Sequence, residues 1–124
     1  MARLFLAIAS ILGALSVAGG AFGAHALKGK LTESALASFE TGVRYQMYHA
    51  IALLVVALLI AQYPEVKSLS VTGWCFVAGT ILFSGSLYGL TLGGIKALGP
   101  VTPLGGLAFI IGWICLALAS VRVF

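Results

Sequence analysis

Apolar side chains fall into four long runs, and almost every charged residue lies between runs or at their ends. The first run, Leu4 to Ala26, carries no Lys, Arg, Asp or Glu. As a helix it is about 34 Å long, enough for a hydrocarbon core of about 30 Å. Arg3 ahead of it and Ala24-His25-Ala26 at its end imitate a secretory signal with a small-residue cleavage site. The run is longer than a signal's apolar region, so a retained membrane span is expected at about residues 4–26.

Thr32 and Glu33 then supply a helix start, with the threonine as N-cap and the carboxylate near the positive end of the dipole. A helical pattern continues to about Ala61, with Leu36, Phe39 and Val43 on one face and Glu33, Glu40 and Arg44 elsewhere. Thirty helical residues make about 45 Å, too long for the core alone. The pattern therefore predicts an interfacial helix at about residues 32–42, a bend at Gly42, and a second span at about 43–62. Pro64 ends that helix, and a third span is expected at about 69–92, with Tyr63 and Trp74 suited to an aromatic belt. After the Gly-rich stretch up to Gly99-Pro100, Thr102 is the expected cap of a fourth span at about 103–121, with Pro103 at its first position. The fold class is all-α, a single-domain membrane four-helix bundle running up-down-up-down.

Composition agrees: 61% of the 124 residues are hydrophobic and only 8% charged, against about 25% in soluble domains. The net charge of +4 does not point to nucleic acid, because its seven cations are scattered singly at the ends of apolar runs. Lys28, Lys30, Arg44 and Lys96 share the side of loops one and three, and Arg3, Lys67 and Arg122 the other. That near-even split leans towards loops one and three in the cytoplasm. Cys75 and Cys115 are isolated within apolar runs and suggest neither a disulfide framework nor a zinc site.

Without a hydrophobic drive between helices in lipid, close packing must hold such a bundle, so the small residues matter. Gly19, Gly20 and Gly23 crowd the end of the first span, and Gly85, Gly89 and Gly93 repeat every fourth residue at the end of the third. These two stripes are expected to meet near loop one, with Gly23 and Gly89 in contact.

The motifs GGAFGAHALKGKL, TGVRYQMYHAIALL, ILFSGSLYGL and LGPVTPLGGLAFIIGW follow in that order over nearly the whole chain. Together they resemble the small four-helix membrane protein family called domain of unknown function 423, which includes bacterial inner-membrane proteins and a eukaryotic transmembrane relative. The resemblance implies a four-span protein of a bacterial inner membrane. It implies no activity and no catalytic residues.

The polar residues that chemistry would need gather near loop one: His25 at the end of the first span, then Glu40, Arg44, Tyr45, Gln46, Tyr48 and His49. Glu40 and Arg44 have the order and spacing of a helical ion pair. If the second span starts near residue 43, His25 and His49 lie at similar depth and converge with Arg44, Tyr45 and Tyr48 in one site. Such a site would bind an anionic head group or relay protons, or simply tie helix ends. Two histidines without carboxylate or thiolate companions make no metal or haem site, and no cofactor is implied. No catalytic motif occurs, there is no Asp, and no enzyme is expected. Ser84, Ser86 and Thr80 suit interhelical hydrogen bonds, and the indole N–H of Trp113, at mid-span, needs a partner inside the bundle. The expected partners are the bilayer, and a larger membrane protein or a second copy; a small transporter or pore is the rival reading.

Overall fold

The computed structural model describes residues 1–124. Four helices follow one another: α1 (Ala2–Phe22), which runs on through a π-turn at Gly23–Leu27, α2 (Glu33–Gln62), α3 (Lys67–Gly93) and α4 (Val101–Val123). A short 3-10 turn, Lys96–Leu98, precedes the last. All four are long and apolar enough to cross a membrane, and the closest backbone approaches run between chain neighbours. The all-α bundle read from the sequence is the fold observed.

Local signals act mostly where expected. Thr32 Oγ1 accepts the Ala35 N–H at 3.1 Å and caps α2. Tyr63 donates its N–H back to the Leu59 carbonyl, and Pro64 stops the helix there. Gly94, at φ +63, ends α3 in the left-handed conformation that glycine takes without penalty, and its N–H returns to the Gly89 carbonyl.

Two boundaries differ from expectation. Glu33 to Gln62 is one uninterrupted helix, with no break between the stretch expected at the interface and the second span. Gly42 is a contact surface, not a break: a methyl there would lie 3.0 Å from the Tyr88 ring, and its carbonyl accepts the Ser84 hydroxyl at 2.6 Å. The missing side chain lets α3 approach. At α4, helix begins at Val101, so Thr102 lies inside the first turn and pairs with the Ser86 hydroxyl instead of capping. Pro103 is thus the third helical residue, still among the positions whose N–H has no partner in the helix.

The main core gathers Phe5 and Ala9 of α1, Leu53, Val56 and Ile60 of α2, Leu69 and Phe76 of α3, and Phe109, Ala119 and Val123 of α4. Leu27, Phe39 and Val43 form a separate small cluster at the loop-one end. Glycines decide how the helices meet. Gly79 of α3 receives the Phe109 ring of α4, Gly112 of α4 receives Phe76 of α3, and Gly105 lies directly on the α3 backbone at Phe83. The stripes singled out by spacing do not face each other. Gly19 and Gly20 lie against Val43 and Gly23 against Phe39, all on α2, while Gly89 and Gly93 are covered by Leu98 and Ile95 of the loop after α3. Gly85 faces open space. A bulky partner, Val43 or Phe39 from the adjoining helix, fills the notch that a second glycine was expected to fill.

Candidate functional site

Two polar groups lie inside the bundle, each built on α2. Gln46 is 5% exposed, and its Nε2 donates to the Leu12 carbonyl of α1 at 2.9 Å. Its Oε1 accepts the Tyr88 hydroxyl of α3 at 2.6 Å, so one amide ties three helices. Ser16 Oγ also donates to the Leu12 carbonyl, at 2.8 Å.

One turn on, His49 is 4% exposed and its Nε2 accepts the Trp113 indole N–H of α4 at 3.0 Å. An indole only donates, so Nε2 is unprotonated. The proton therefore sits on Nδ1, which is 2.8 Å from the Tyr45 carbonyl and donates to it. The neutral ring stacks on Phe109, with centroids 3.5 Å apart and planes 7° apart, and the Phe76 ring meets it edge-on at 5.3 Å. Trp113 thus has the bundle partner its depth demanded. Ser84 and Ser86 make interhelical bonds, to Gly42 and Thr102, whereas Thr80 bonds within its own helix to the Phe76 carbonyl. No buried side-chain nitrogen or oxygen lacks a partner.

The expected convergence on loop one does not occur. His25 is exposed in the π-turn and is not among the neighbours of His49, which are Tyr45, Phe76, Phe109 and Trp113. The cause is the unbroken α2: with the helix starting at Glu33, His49 lies roughly 24 Å along it, far below the level of His25. Arg44 is exposed and donates to Thr41 Oγ1 at 3.2 Å, and not to Glu40, which is half-buried. Tyr48 is 53% exposed and meets the Tyr45 ring edge to face, while Tyr45, 39% exposed, packs its own ring on Phe83 of α3 with centroids 4.8 Å apart. Of the seven candidates, Gln46 and His49 enter the core, and Tyr45 joins them through its carbonyl, bonded to His49, and its ring, packed on Phe83. Tyr88 and Phe109 were not foreseen. For Tyr88 the signal was present, since it follows Ser84 by four residues and so shares its helix face.

These groups are neutral, mutually satisfied and spread over different helices, and no three His, Cys, Asp or Glu side chains come together. Chemically they tie helices. The open feature is a crevice of about 540 Å³ between α1 and α3, walled by Leu15, Ala18 and Phe22 on one side and Tyr88 and Leu92 on the other, with Phe39 and Gln46 of α2 at its floor.

The model of the protein family of unknown function DUF423 matches residues 19–106. The UPF0382 membrane protein YwdK of Bacillus subtilis (strain 168) is 47% identical over 120 residues, covering 97% of this chain and 98% of the relative. A UPF0382 membrane protein of Staphylococcus aureus (strain bovine RF122 / ET3-1) is 43% identical over 122 residues, 97% of each chain. One of Staphylococcus epidermidis (strain RP62A) is 39% identical over the same length, again covering 97% of each. No solved structure matches. Four helices able to span, in a chain similar over its length to bacterial membrane proteins, fit a multi-pass protein of the bacterial inner membrane. The chain belongs to the DUF423 family of membrane proteins.

Proposed function

We propose that the protein is a non-enzymatic accessory component of the membrane, packing through the outer face of α1 and α2 against a transmembrane helix of a larger partner or of a second copy. One observation carries this reading. Ala9, Ser10 and Gly13 of α1 and Ala50 of α2 line a shallow lateral groove of about 190 Å³, and nothing in the chain lies within 4 Å of where a Gly13 side chain would begin. The Ser10 hydroxyl is taken up by the Leu6 carbonyl at 2.8 Å, which leaves an apolar groove whose α2 wall is completed by Met47, Ile51 and Leu54. In hydrocarbon, helices associate where small residues let backbones come close, and this groove offers that surface to a helix the chain does not itself supply. The rival, a transporter or pore, draws no comparable support: the three cavities each lie on one flank or at one end, and no helix is broken at mid-depth.

Gly13→Leu tests the proposal. A Cβ at this position meets no atom of the chain within 4 Å, so helicity and melting are expected to stay as in wild type, while association in mild detergent is lost. Cross-linking through Ser10→Cys in native membranes should capture the same neighbour in wild-type background and fail in Gly13→Leu. Unchanged association of a folded Gly13→Leu protein overturns the reading, and solute flux through the pure protein in liposomes would favour the rival.

A further inference from the structure

A second feature lies on the opposite flank of α1, and it concerns lipid instead of protein. We propose that the crevice between α1 and α3 holds one acyl chain of an anionic phospholipid whose phosphate sits among Lys28, Lys30 and Lys96.

The crevice exists because of how α1 is held. At the loop-two end Phe5 of α1 packs into the notch at Gly73 of α3 and lies edge-on to Trp74, with centroids 5.1 Å apart. Towards loop one, Gly19, Gly20 and Gly23 draw α1 onto Val43 and Phe39 of α2, and the two outer helices part. The gap measures about 540 Å³, within the roughly 300–1,000 Å³ of ligand pockets. It follows α1 from Leu15 to Phe22, about 10 Å along the helix.

Its chemistry selects a hydrocarbon. Gln46 and Tyr88 are the only polar side chains in the lining, and their hydrogen-bonding atoms are engaged with each other and with the Leu12 carbonyl. The surface left to an occupant is aliphatic and aromatic carbon, in a part of the chain that spans the membrane. The one donor to spare is the second N–H of the Gln46 amide, too little to hold a polar or charged small molecule.

Its mouth selects the head group. The α1 wall ends at Phe22, directly before the π-turn that leads to Lys28 and Lys30, and the α3 wall ends at Leu92, shortly before Lys96. All three lysines are exposed. Arg44 adds a fourth cation on this side, and Glu33 and Glu40 are its acids. Glu33 lies in the first turn of α2, where the helix dipole holds it, so the rim retains a positive balance. Flexible lysine stems at a membrane interface reach lipid phosphates. Acyl chain and phosphate thus meet complementary surfaces, apolar in the crevice and cationic in the loops that follow its two walls.

The test is native mass spectrometry of the full chain extracted in mild detergent from vesicles of phosphatidylglycerol and phosphatidylcholine. One phosphatidylglycerol is expected to remain on each wild-type chain. Ala18 is exposed on the crevice wall, so Ala18→Trp fills the space without disturbing the core, and retention should fall about tenfold or more at unchanged melting temperature. Should that variant fail to fold, Leu15→Trp makes the same measurement from the deeper end. The combined Lys28→Gln, Lys30→Gln, Lys96→Gln protein should still retain lipid but no longer prefer phosphatidylglycerol. Undiminished retention by a folded Ala18→Trp or Leu15→Trp protein overturns the proposal. So does equal loss in Gly13→Leu on the other flank, or an Ala18→Cys protein that cross-links to a second copy through this crevice.

Discussion

The seam between α3 and α4 and the seam between α1 and α3 are made from the same residue types and come out opposite. In the first, phenylalanine and glycine alternate across the interface: Phe109 enters at Gly79, Phe76 at Gly112, and Gly105 rides on the backbone of Phe83. Ser86 and Thr102 lock the loop-three end of that seam with a hydroxyl pair. In the second, Phe5 at Gly73 repeats the device once, at the loop-two end, and nothing repeats it further up. A glycine closes a seam only when the facing helix brings a bulky side chain or its backbone to it. The α1 glycines face α2, so α1 closes on α2 and leaves its flank towards α3 open.

The largest effect should come from breaking the closed seam. Gly105→Leu places a side chain where the Phe83 backbone already is, so α4 must move off α3 over at least a turn. Overpacking of this kind costs about 3 kcal/mol or more, and equilibrium unfolding in mixed micelles should show it. Gly85→Leu is the control, since Gly85 is exposed, nothing lies within 4 Å of an added Cβ, and stability should hold. Equal losses in both would mean that glycine matters there for the helix itself and not for the seam.

The same contrast explains what was legible in the sequence. Number, order and approximate limits of the spans follow from uncharged runs, a cap at Thr32 and stops at Pro64 and Gly94, all of which are local. Pairing is not local. Gly85, Gly89 and Gly93 have the most regular spacing in the chain, yet one faces open space and two are covered by the adjoining loop. Gly73, Gly79 and Gly105, which pack, have no comparable regularity. The polar site depends on the same kind of non-local fact: α2 runs unbroken through Gly42 from Glu33, which sets the depth of His49 well away from His25. Trp113 was read correctly because its requirement, a donor with no water, holds at mid-membrane whatever the partner.

A smaller effect is expected from the polar tie beneath the open seam. Gln46→Leu removes the donor to the Leu12 carbonyl and the acceptor for Tyr88, two interhelical bonds at once. Such bonds average about 0.6 kcal/mol each in membranes, so a loss of about 1 kcal/mol is expected, well short of Gly105→Leu. The Leu12 carbonyl keeps its bond from Ser16, which limits the damage on α1. A loss as large as that of Gly105→Leu would show that the open seam is held chiefly by this amide.

The smallest effect should come from Tyr88→Phe, and it separates two roles that the crevice floor combines. The ring forms part of the α3 wall and touches Gly42 and Phe39, with the Phe39 centroid 5.3 Å away, while the hydroxyl donates to Gln46. Phenylalanine keeps the wall and loses one hydrogen bond, about 0.6 kcal/mol by the membrane average. Since an acyl chain touches the ring and not the hydroxyl, phosphatidylglycerol retention should match wild type within error. A folded Tyr88→Phe protein that sheds its lipid would mean that the hydroxyl leaves Gln46 to meet the occupant. The crevice would then recognise a polar group at its floor, and the difference between the two seams would be one of chemistry as well as of packing.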